Sequence, residues 1–453
     1  MAHQRFRYSS LQDVEQKAKE LGVNIPLSEN IDVLKQPIKF YGREVPNRLA
    51  IQPMEGCDGT PEGAPGELTK RRYERFAKSG AGIIWAEAIA VVPEGRANPR
   101  QLMISEETLD AFKELVDNIK TSCEKENGFT PVVIMQATHS GRYSKPGGEG
   151  APIIMYNNPI FEKDKPIPEE RIATDDYLKR LEETFGEAAR LAEKAGFDGV
   201  DIKACHRYLF SEALSAYNRP GPYGGSFENR TRLFLNSIEA AKAAVSGDTF
   251  ITSRMNVYDG FPYPYGWGVS EGGDETPDMT EPIKLIDILH NKMGIELLNL
   301  TIGNPYFNPH VNRPFDIGPY VPDEHPLEGL ARVCSCTGEI KSHFKDLVII
   351  SSANSYLRHF SVNMAAGMVE SGKADIAGFG RLAFAYPEFA NDIIHKGELD
   401  PKKCCIACSK CSQLMRAGTV AGCVVRDTEV YLPIYREKVL NSDKDIKSMI
   451  SSF

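Results

Sequence analysis

The chain has 453 residues, of which 42% are hydrophobic and 25% are charged, and its formal net charge is −9. This length allows one large domain with extensions, and the negative charge gives no general electrostatic attraction to nucleic acid or to an anionic membrane. No apolar run reaches the roughly 20 residues that a membrane-spanning helix needs, so we expect no membrane partner.

The first 38 residues are polar, and their pattern predicts an N-terminal helical extension over 1–38 without an apolar signal region. Five of the ten cysteines lie between positions 404 and 423. Such clustering suits a reducing compartment better than a disulfide framework. We therefore expect a cytoplasmic protein, and oxygen-labile metal chemistry would suit an anaerobic cell.

Short apolar runs rich in β-branched residues alternate with amphipathic stretches over residues 39–400. Eight of these runs predict strands, at 47–53, 82–88, 130–137, 199–205, 249–256, 295–303, 347–353 and 374–381. Near-continuous apolar runs are expected of parallel strands that are buried on both faces. Eight strands with intervening helices predict an α/β fold, the closed (β/α)8 TIM barrel. A doubly wound open sheet is the alternative, although no G-x-G-x-x-G motif follows a predicted strand.

The clearest helix is predicted over 175–195, where apolar side chains share one face and Asp175 and Asp176 complement the helix dipole at its start. Two long loops, 143–173 and 257–279, are expected on the rim of the barrel, where such loops often shape the pocket. The second loop carries aromatic residues, which would line the pocket or pack against one another or against another subunit. These are Tyr258, Phe261, Tyr263, Tyr265 and Trp267.

A cation, an imidazole and a phenol follow the fourth predicted strand, at Lys203, His206 and Tyr208. In a barrel of this type, catalytic residues come from the carboxyl ends of the strands. The three groups could together hold an oxyanion and deliver a proton. In isolation, they could equally be polar residues whose hydrogen bonds are satisfied locally.

Four cysteines near the end of the chain, Cys405, Cys408, Cys411 and Cys423, follow the pattern C-x2-C-x2-C-x11-C. Three closely spaced thiolates and a more distant fourth can wrap one cubane iron–sulfur cluster. Zinc is the main competitor, but its sites more often group their ligands in two pairs. Cys404 could replace Cys405 as the first ligand. The sequence thus predicts a 4Fe–4S cluster-binding segment over 401–453.

Motifs along the chain resemble, in order and spacing, those of the old yellow enzyme family of flavin ene-reductases. The resemblance is nearest to the iron–sulfur branch that includes 2,4-dienoyl-CoA reductase, enoate reductase and trimethylamine dehydrogenase. It covers about residues 40–430. Its landmarks are Pro53-Met54, Glu87, Gln136 to Arg142, Lys203 to Leu209, Asn218-Arg219, Tyr223 to Arg230, Arg254, and Gly378 to Arg381.

The resemblance implies that FMN is bound in the barrel, here over residues 39–400. It implies that Gln136 meets the pyrimidine edge of the flavin, that Arg254 places positive charge beside it, and that Gly380 and Arg381 hold the phosphate. Further cofactor-binding residues implied by the matching strand ends are Pro53, Met54, Glu87, Ser352 and Ala353. His139, Arg142 and Cys205 are weaker candidates for the pocket.

The resemblance also implies the reaction, reduction of the C=C bond of an unsaturated carbonyl substrate, an enoate, enone or dienoyl thioester. His206, with Lys203, would polarise the carbonyl oxygen, and Tyr208 would protonate the α-carbon. Lys203 replaces the family's usual histidine, which weakens any transfer of substrate preference. Ser351 to Asn354 replace a glycine-rich phosphate turn, so backbone amides and serine hydroxyls would serve there.

Electrons would come from NAD(P)H bound directly over the flavin, or from a separate electron-donor protein, because no nucleotide-binding pattern follows the cysteines. We expect a homo-oligomer. Two rival functions are an oxidative amine demethylase, for which Asp259 or Asp274 could supply negative charge, and an electron-transfer subunit without turnover of its own.

Overall fold

A computed structural model describes residues 5–315, 318 and 320–440 of the chain. The first four residues of the predicted N-terminal extension and residues 441–453 of the predicted cluster-binding segment lie outside this description. Within the described residues, the extension contains helix α1 (Leu11–Glu20) and a 3₁₀ turn (Ile31–Lys35).

Eight parallel strands close into one barrel in the described part of the chain, which confirms the (β/α)8 prediction and overturns the open-sheet alternative. They are β3 (Leu49–Ile51), β4 (Ile83–Ala90), β5 (Val132–Thr138), β6 (Gly199–Ile202), β7 (Phe250–Asn256), β8 (Leu297–Thr301), β9 (Val348–Ser351) and β10 (Ile376–Phe379). The barrel closes where Ala377 of β10 pairs with Leu49 of β3. Every residue of these strands is buried, which is why apolar residues predominate in them, and the polar residues that they do contain, such as Gln136 and Arg254, are buried as well.

A β-hairpin of two short antiparallel strands, β1 (Ile38–Phe40) and β2 (Arg43–Val45), precedes the barrel. Its Phe40 and Val45 belong to one buried apolar cluster with interior barrel residues such as Trp85. The hairpin therefore closes the amino end of the barrel, and the carboxyl ends of the strands are left to form the site.

Helices pack around the strands and join them. The longer ones in the described residues are α2 (Glu67–Ala77), α3 (Leu109–Asn127), α5 (Asp175–Lys194), α7 (Phe227–Ala244), α8 (Thr280–Asp287), α10 (Pro326–His343), α11 (Ser361–Glu370) and α13 (Phe389–Lys396). The shorter ones are α4 (Pro159–Glu162), α6 (Leu209–Leu214), α9 (Pro309–Asn312) and α12 (Arg381–Ala385). The predicted helix over 175–195 is α5, whose first turn is capped by the Thr174 side chain.

The segment after the barrel carries α14 (Lys410–Arg416) and α15 (Thr428–Tyr435). It is fastened to the barrel by the buried carboxylate of Asp427, which pairs with Arg71 and Arg75 of α2. Cys404 and Ala421 belong to the main apolar core of the barrel. In the described part of the chain, no helix combines the length and the apolar character that crossing a membrane requires.

Candidate functional site

A cavity of about 1350 Å³ lies at the carboxyl ends of the strands, and we call it the barrel cavity. Its wall contains all three predicted catalytic residues and all but one of the predicted cofactor-binding residues. These are Lys203, His206 and Tyr208, together with Pro53, Met54, Gln136, Arg254, Ser352, Ala353, Gly380 and Arg381. They come from the ends of several strands, so residues distant in sequence meet at one place.

The three predicted catalytic side chains converge on one side of the barrel cavity. Lys203 directly follows β6, and its Nζ lies 3.9 Å from the centre of the Tyr208 ring. His206 and Arg207 both have positive φ angles, 65° and 60°, and they turn the chain so that Tyr208 precedes α6. Two successive non-glycine residues in this region are uncommon and are typical of functional sites.

Two residues that the sequence did not reveal complete the surroundings of Tyr208. The Tyr208 hydroxyl donates to Glu55 Oε1 at 3.2 Å and lies 2.8 Å from the Tyr306 hydroxyl. Both residues line the barrel cavity. Glu55 directly follows the Pro53-Met54 landmark, so its position could have marked it, whereas Tyr306 lies on the loop after β8 and carried no signal.

Burial sets the protonation of these groups. It lowers the pKa of His206 well below 6.5, and the charges of Arg254 and Lys203 lower it further, so the imidazole is neutral. Burial also raises the pKa of Tyr208 well above 10, which keeps the phenol protonated. The pKa of Lys203 is lowered and that of Glu55 is raised, in each case mainly by burial.

Asp201 on β6 organises the predicted flavin-contacting residues from behind. It accepts hydrogen bonds from the Arg254 backbone N–H at 2.7 Å, from Gln136 Nε2 at 2.6 Å and from Trp85 Nε1 at 2.8 Å. Burial raises the pKa of Asp201 to about 6. The Gln136 amide is thereby fixed with its carbonyl oxygen free to accept, and the buried Arg254 Nε has no hydrogen-bond partner in the described protein.

The turns after β9 and β10 approach the cavity through their backbone. Ala353 has a φ of 63°, and a Cβ atom at Gly380 would lie only 2.8 Å from the Met54 sulfur, so the chain is close-packed there. The Ser352 hydroxyl donates to the Leu300 carbonyl at 2.7 Å. Contrary to the sequence-based expectation, this hydroxyl is already engaged, and backbone N–H groups remain as the donors.

Glu87, predicted to bind cofactor, does not line the barrel cavity. Its carboxylate pairs with buried Arg72 at 2.5 Å and accepts the Gly56 backbone N–H at 2.9 Å. Arg72 also pairs with the buried carboxylate of Asp58. The prediction rested on the resemblance, in which Glu87 ends the second strand. In the structure Glu87 lies inside β4, in a buried ion network that holds the loop after β3.

The weaker pocket candidates and the aromatic loop also lie elsewhere. None of His139, Arg142 and Cys205 lines the barrel cavity. The loop aromatics pack inside the protein; Phe261, for example, lies 5.4 Å from both Phe161 and Phe307, ring centre to ring centre. None of the five loop aromatics lines the barrel cavity, so pocket lining is not observed. The ring contacts of Phe261, Tyr263 and Trp267 are with residues outside the loop, so the loop packs against its neighbours.

The carboxylates considered for a cationic substrate are likewise absent from the cavity wall. Asp259 is buried and pairs with Arg207 at 3.0 Å. Asp274 is exposed on the loop surface. Glu55 is the carboxylate that does face the cavity, beside the cationic Lys203.

A second, smaller cavity of about 380 Å³ is lined by the four predicted metal ligands, Cys405, Cys408, Cys411 and Cys423, and by Cys404. Cys405 and Cys411 line the barrel cavity as well, so the two cavities share a wall. Burial raises the pKa of Cys405 to about 12, and the neighbouring thiols of Cys411 and Cys423 act in the same direction. These three thiols are therefore close together.

Donors point at the thiols from the surrounding chain. The Ala407 backbone N–H donates to Cys405 Sγ at 3.4 Å, and Arg381 Nη1 donates to Cys411 Sγ at 3.5 Å. A zinc ion, with Zn–S bonds of about 2.3 Å, would need its thiols within about 4 Å of one another. In the described ranges no three such side chains are grouped tightly enough to hold a single metal ion.

The chain is similar in sequence to known proteins. The profile of the NADH:flavin oxidoreductase / NADH oxidase family matches residues 33–283, more than half of the chain. An NADPH dehydrogenase of Geobacillus thermodenitrificans (strain NG80-2) is 32% identical over 262 residues, which are 56% of this chain and 72% of that protein.

Two solved structures are similar in fold. A 2-naphthoyl-CoA reductase in complex with 2-naphthoyl-CoA has a TM-score of 0.70 at 21% identity, over 87% of this chain and 57% of that one. An old yellow enzyme homologue from Zymomonas mobilis has a TM-score of 0.60 at 24% identity, over 82% of this chain and 94% of that one. The chain thus spans little more than half the length of the first of these proteins.

Proposed function

Because the chain belongs to the NADH:flavin oxidoreductase / NADH oxidase family and is therefore an oxidoreductase, we propose that it is an FMN- and 4Fe–4S-dependent ene-reductase. Its substrate would be an α,β-unsaturated carbonyl compound, an enoate, enone or dienoyl thioester. The observation that carries the proposal is the convergence of a protonated phenol, a neutral imidazole and an ammonium group on one wall of the barrel cavity.

The cavity offers groups that suit both the ring and the phosphate of FMN. The buried Arg254 Nε and His206 Nε2 lack partners in the described protein, which is costly unless a ligand supplies them. Gln136 and Arg254 would hold the ring, and the backbone at Ala353 and Gly380, with Arg381, would hold the phosphate. When bound, FMN supplies the two-electron chemistry, with hydride delivered at the β-carbon of the substrate.

The chain's own residues would then handle charge and protons. The neutral His206 ring can donate a hydrogen bond to the substrate carbonyl oxygen, where negative charge develops, and Lys203 adds a positive charge nearby. Tyr208 is protonated at neutral pH and would give its proton to the α-carbon. Glu55 and Tyr306 hold the phenol in place.

For the second redox group, we propose a 4Fe–4S cluster ligated by Cys405, Cys408, Cys411 and Cys423. Cys405 is favoured over Cys404 because Cys405 lines both cavities together with Cys411, whereas Cys404 is fully buried in the main apolar core. Backbone and arginine donors to the sulfur atoms are typical of cluster thiolates, whose potential they tune. The shared wall of the two cavities supports electron transfer between the groups.

The proposal is tested on anaerobically purified protein by its visible spectrum and by flavin, iron and sulfide measured per chain. One FMN and about four irons with four sulfides are expected. Colourless protein, or protein with zinc and no flavin, would contradict the assignment. The reduced protein is then mixed anaerobically with enones, enoates and amines, and reoxidation by the unsaturated carbonyl compounds is expected.

An amine dehydrogenase remains the second candidate, since Glu55 supplies one carboxylate among the tyrosines of the cavity wall. Lys203 opposes a cationic substrate at the same place, because like charges repel. The two functions are distinguished by mixing the oxidised protein with each compound, because an amine would reduce the flavin of an amine dehydrogenase and an enone would not.

We further propose that NAD(P)H reduces the protein directly, an assignment favoured by the NADPH dehydrogenase relative. Stopped-flow mixing with NADPH and with NADH should bleach the flavin in a saturable phase. Without such a phase, an obligatory electron-donor protein becomes the better assignment.

A further inference from the structure

Three arginines line one end of the barrel cavity, next to the turns after β9 and β10. Arg313 follows α9, Arg381 begins α12 and Arg416 ends α14, so the cluster joins the barrel to the C-terminal segment. Of these three arginines, Arg381 alone is among the landmarks of the family resemblance. We call these residues the arginine cluster.

No carboxylate of the described residues pairs with the arginine cluster. Among the described residues, Arg313 donates to the Ser409 hydroxyl at 3.3 Å, and Arg381 donates to Ser412 at 2.9 Å and to Cys411. The buried Nε of Arg313 has no hydrogen-bond partner there. Burial lowers the pKa of Arg313 well below its ordinary value, the charges of Arg381 and Arg416 lower it further, and the nearby thiols of Cys411 and Cys405 oppose this. The three cations therefore lie close together, and the described part of the chain gives them no carboxylate counter-ion.

The proposed iron–sulfur site does not account for all three cations. Arg381 donates to the Cys411 thiol, and Arg313 has Cys411 and Cys405 among its charged neighbours, so Arg416 is the one left without a thiol beside it in the described residues. Arg416 is exposed on the cavity wall, where its guanidinium is free to meet a ligand. Guanidinium groups bind phosphate through paired, charge-assisted hydrogen bonds.

We propose that Arg313, Arg381 and Arg416 bind one phosphate-ester dianion, held between the barrel and the C-terminal segment. This rests on the proposed function, which places a phosphate beside Arg381. The same chemistry has two possible sources, the phosphate of FMN itself or the phosphate of a second ligand such as a phosphorylated substrate. In either case the anion ties residues 405–421 to the barrel.

The first experiment measures the affinity of the flavin-free protein for FMN and for riboflavin, which lacks the phosphate, by quenching of flavin fluorescence. Arg313→Gln and Arg416→Gln should each weaken FMN binding about tenfold or more and leave riboflavin binding within twofold. Arg436→Gln removes an exposed arginine of the same segment that does not line the cavity, and it should change neither affinity.

The second experiment identifies the other source. The melting temperature of protein saturated with FMN is measured with and without inorganic pyrophosphate. If pyrophosphate raises it, and if both cluster variants lose this rise but keep their FMN affinity, the site belongs to a second phosphate ligand. The proposal would be overturned if the cluster variants lost FMN and riboflavin affinity equally. It would also be overturned if they matched the unaltered protein both in FMN affinity and in the effect of pyrophosphate on the melting temperature. If the unaltered protein binds neither flavin, the proposed function itself fails, which is a different result.

Discussion

At the scale of single residues, the Tyr208 hydroxyl makes two hydrogen bonds. One goes to Glu55 Oε1, and the other, of 2.8 Å, joins it to the Tyr306 hydroxyl, where either oxygen can be the donor. The phenol thus has a second protonated hydroxyl beside it. A buried tyrosine with these partners can lose a proton to a substrate and regain one without bulk water.

Tyr208→Phe should slow substrate reduction by about 10²- to 10⁴-fold, because the ring remains while the acid is removed. Flavin reduction by NAD(P)H should be nearly unaffected, since it needs no proton from this residue. The two half-reactions are followed separately by stopped-flow absorbance. Tyr306→Phe, which leaves the acid in place, should have a smaller effect, and unchanged rates in Tyr208→Phe would remove the residue from the mechanism.

His139 provides a pH-dependent prediction outside the cavity. Its Nδ1 accepts the Gly141 backbone N–H at 3.0 Å, its Nε2 lies 2.8 Å from the Tyr177 hydroxyl, and burial lowers its pKa to about 3. Between pH 6.5 and 3 the unfolded chain binds a proton that the folded chain does not, so the free energy of unfolding falls as the pH falls.

His139→Gln keeps an acceptor and a donor but cannot titrate. Between pH 7.5 and 5, the free energy of unfolding should fall by about 2 kcal/mol less in this variant than in the wild type, as measured by denaturant titration at each pH. His395→Gln, at an exposed histidine, is the control and should retain the wild-type pH dependence. Identical pH dependence in the two variants would contradict the role of His139.

The residues that sequence reasoning found and missed differ in a physical way. Lys203, His206 and Tyr208 lie within six residues of the chain, so their convergence follows from the end of one strand. Tyr306 meets Tyr208 across 98 positions, a proximity that only barrel closure creates. Glu87 does not face the barrel cavity because it lies inside β4 and pairs with Arg72, and neither the end of the strand nor the ion pair can be read from the sequence.

At the scale of elements, the eight barrel strands were predictable because burial on both faces demands continuous apolar runs. The turns were less so. The Ser352 hydroxyl donates to Leu300 on a neighbouring strand, and Phe261 of the aromatic loop packs against Phe307 of another loop. Both outcomes depend on contacts between elements, which one segment of sequence does not contain. The spacing of the four cysteines predicted their common cavity, since a short segment carries its own geometry.

Strand β10 gives a prediction at this scale. A Cβ atom at Gly378 would lie 2.0 Å from Gln52 Nε2 and 2.7 Å from the Ser351 carbonyl oxygen. Gln52 and Asn299 are bonded to each other through both amides, so neither side chain moves freely. Gly378→Ala should lower the free energy of unfolding by about 1–3 kcal/mol, the usual cost of overpacking.

Denaturant unfolding measures this loss, and the flavin content of the purified variant should fall with it because Gly378 lines the barrel cavity. Gly147 is the matched control, with no atom within 4 Å of an added Cβ and an exposed position. Gly147→Ala should stay within about 1 kcal/mol of the wild type. Equal stability of the two variants would show that β10 yields to the extra methyl group.

At the scale of the whole molecule, the barrel cavity is completed by residues from beyond the barrel. Cys405, Cys411, Met415 and Arg416 belong to its wall, although sequence patterns separated a barrel over 39–400 from the segment that follows. The same segment contributes Ala421 to the main apolar core. Site and core therefore both cross that predicted boundary.

A chain that ends at residue 400 should consequently be a poor barrel. It would lack part of the cavity wall, expose core surface under Cys404 and Ala421, and leave Arg71 and Arg75 without the Asp427 carboxylate. We expect a lower melting temperature and less than a tenth of the flavin retained by the full chain after the same gel filtration. A chain that ends at residue 440 keeps every one of these contacts and should retain its flavin. Full flavin occupancy in the chain that ends at 400 would show that the barrel alone forms the binding site, and that the cysteine segment only covers it.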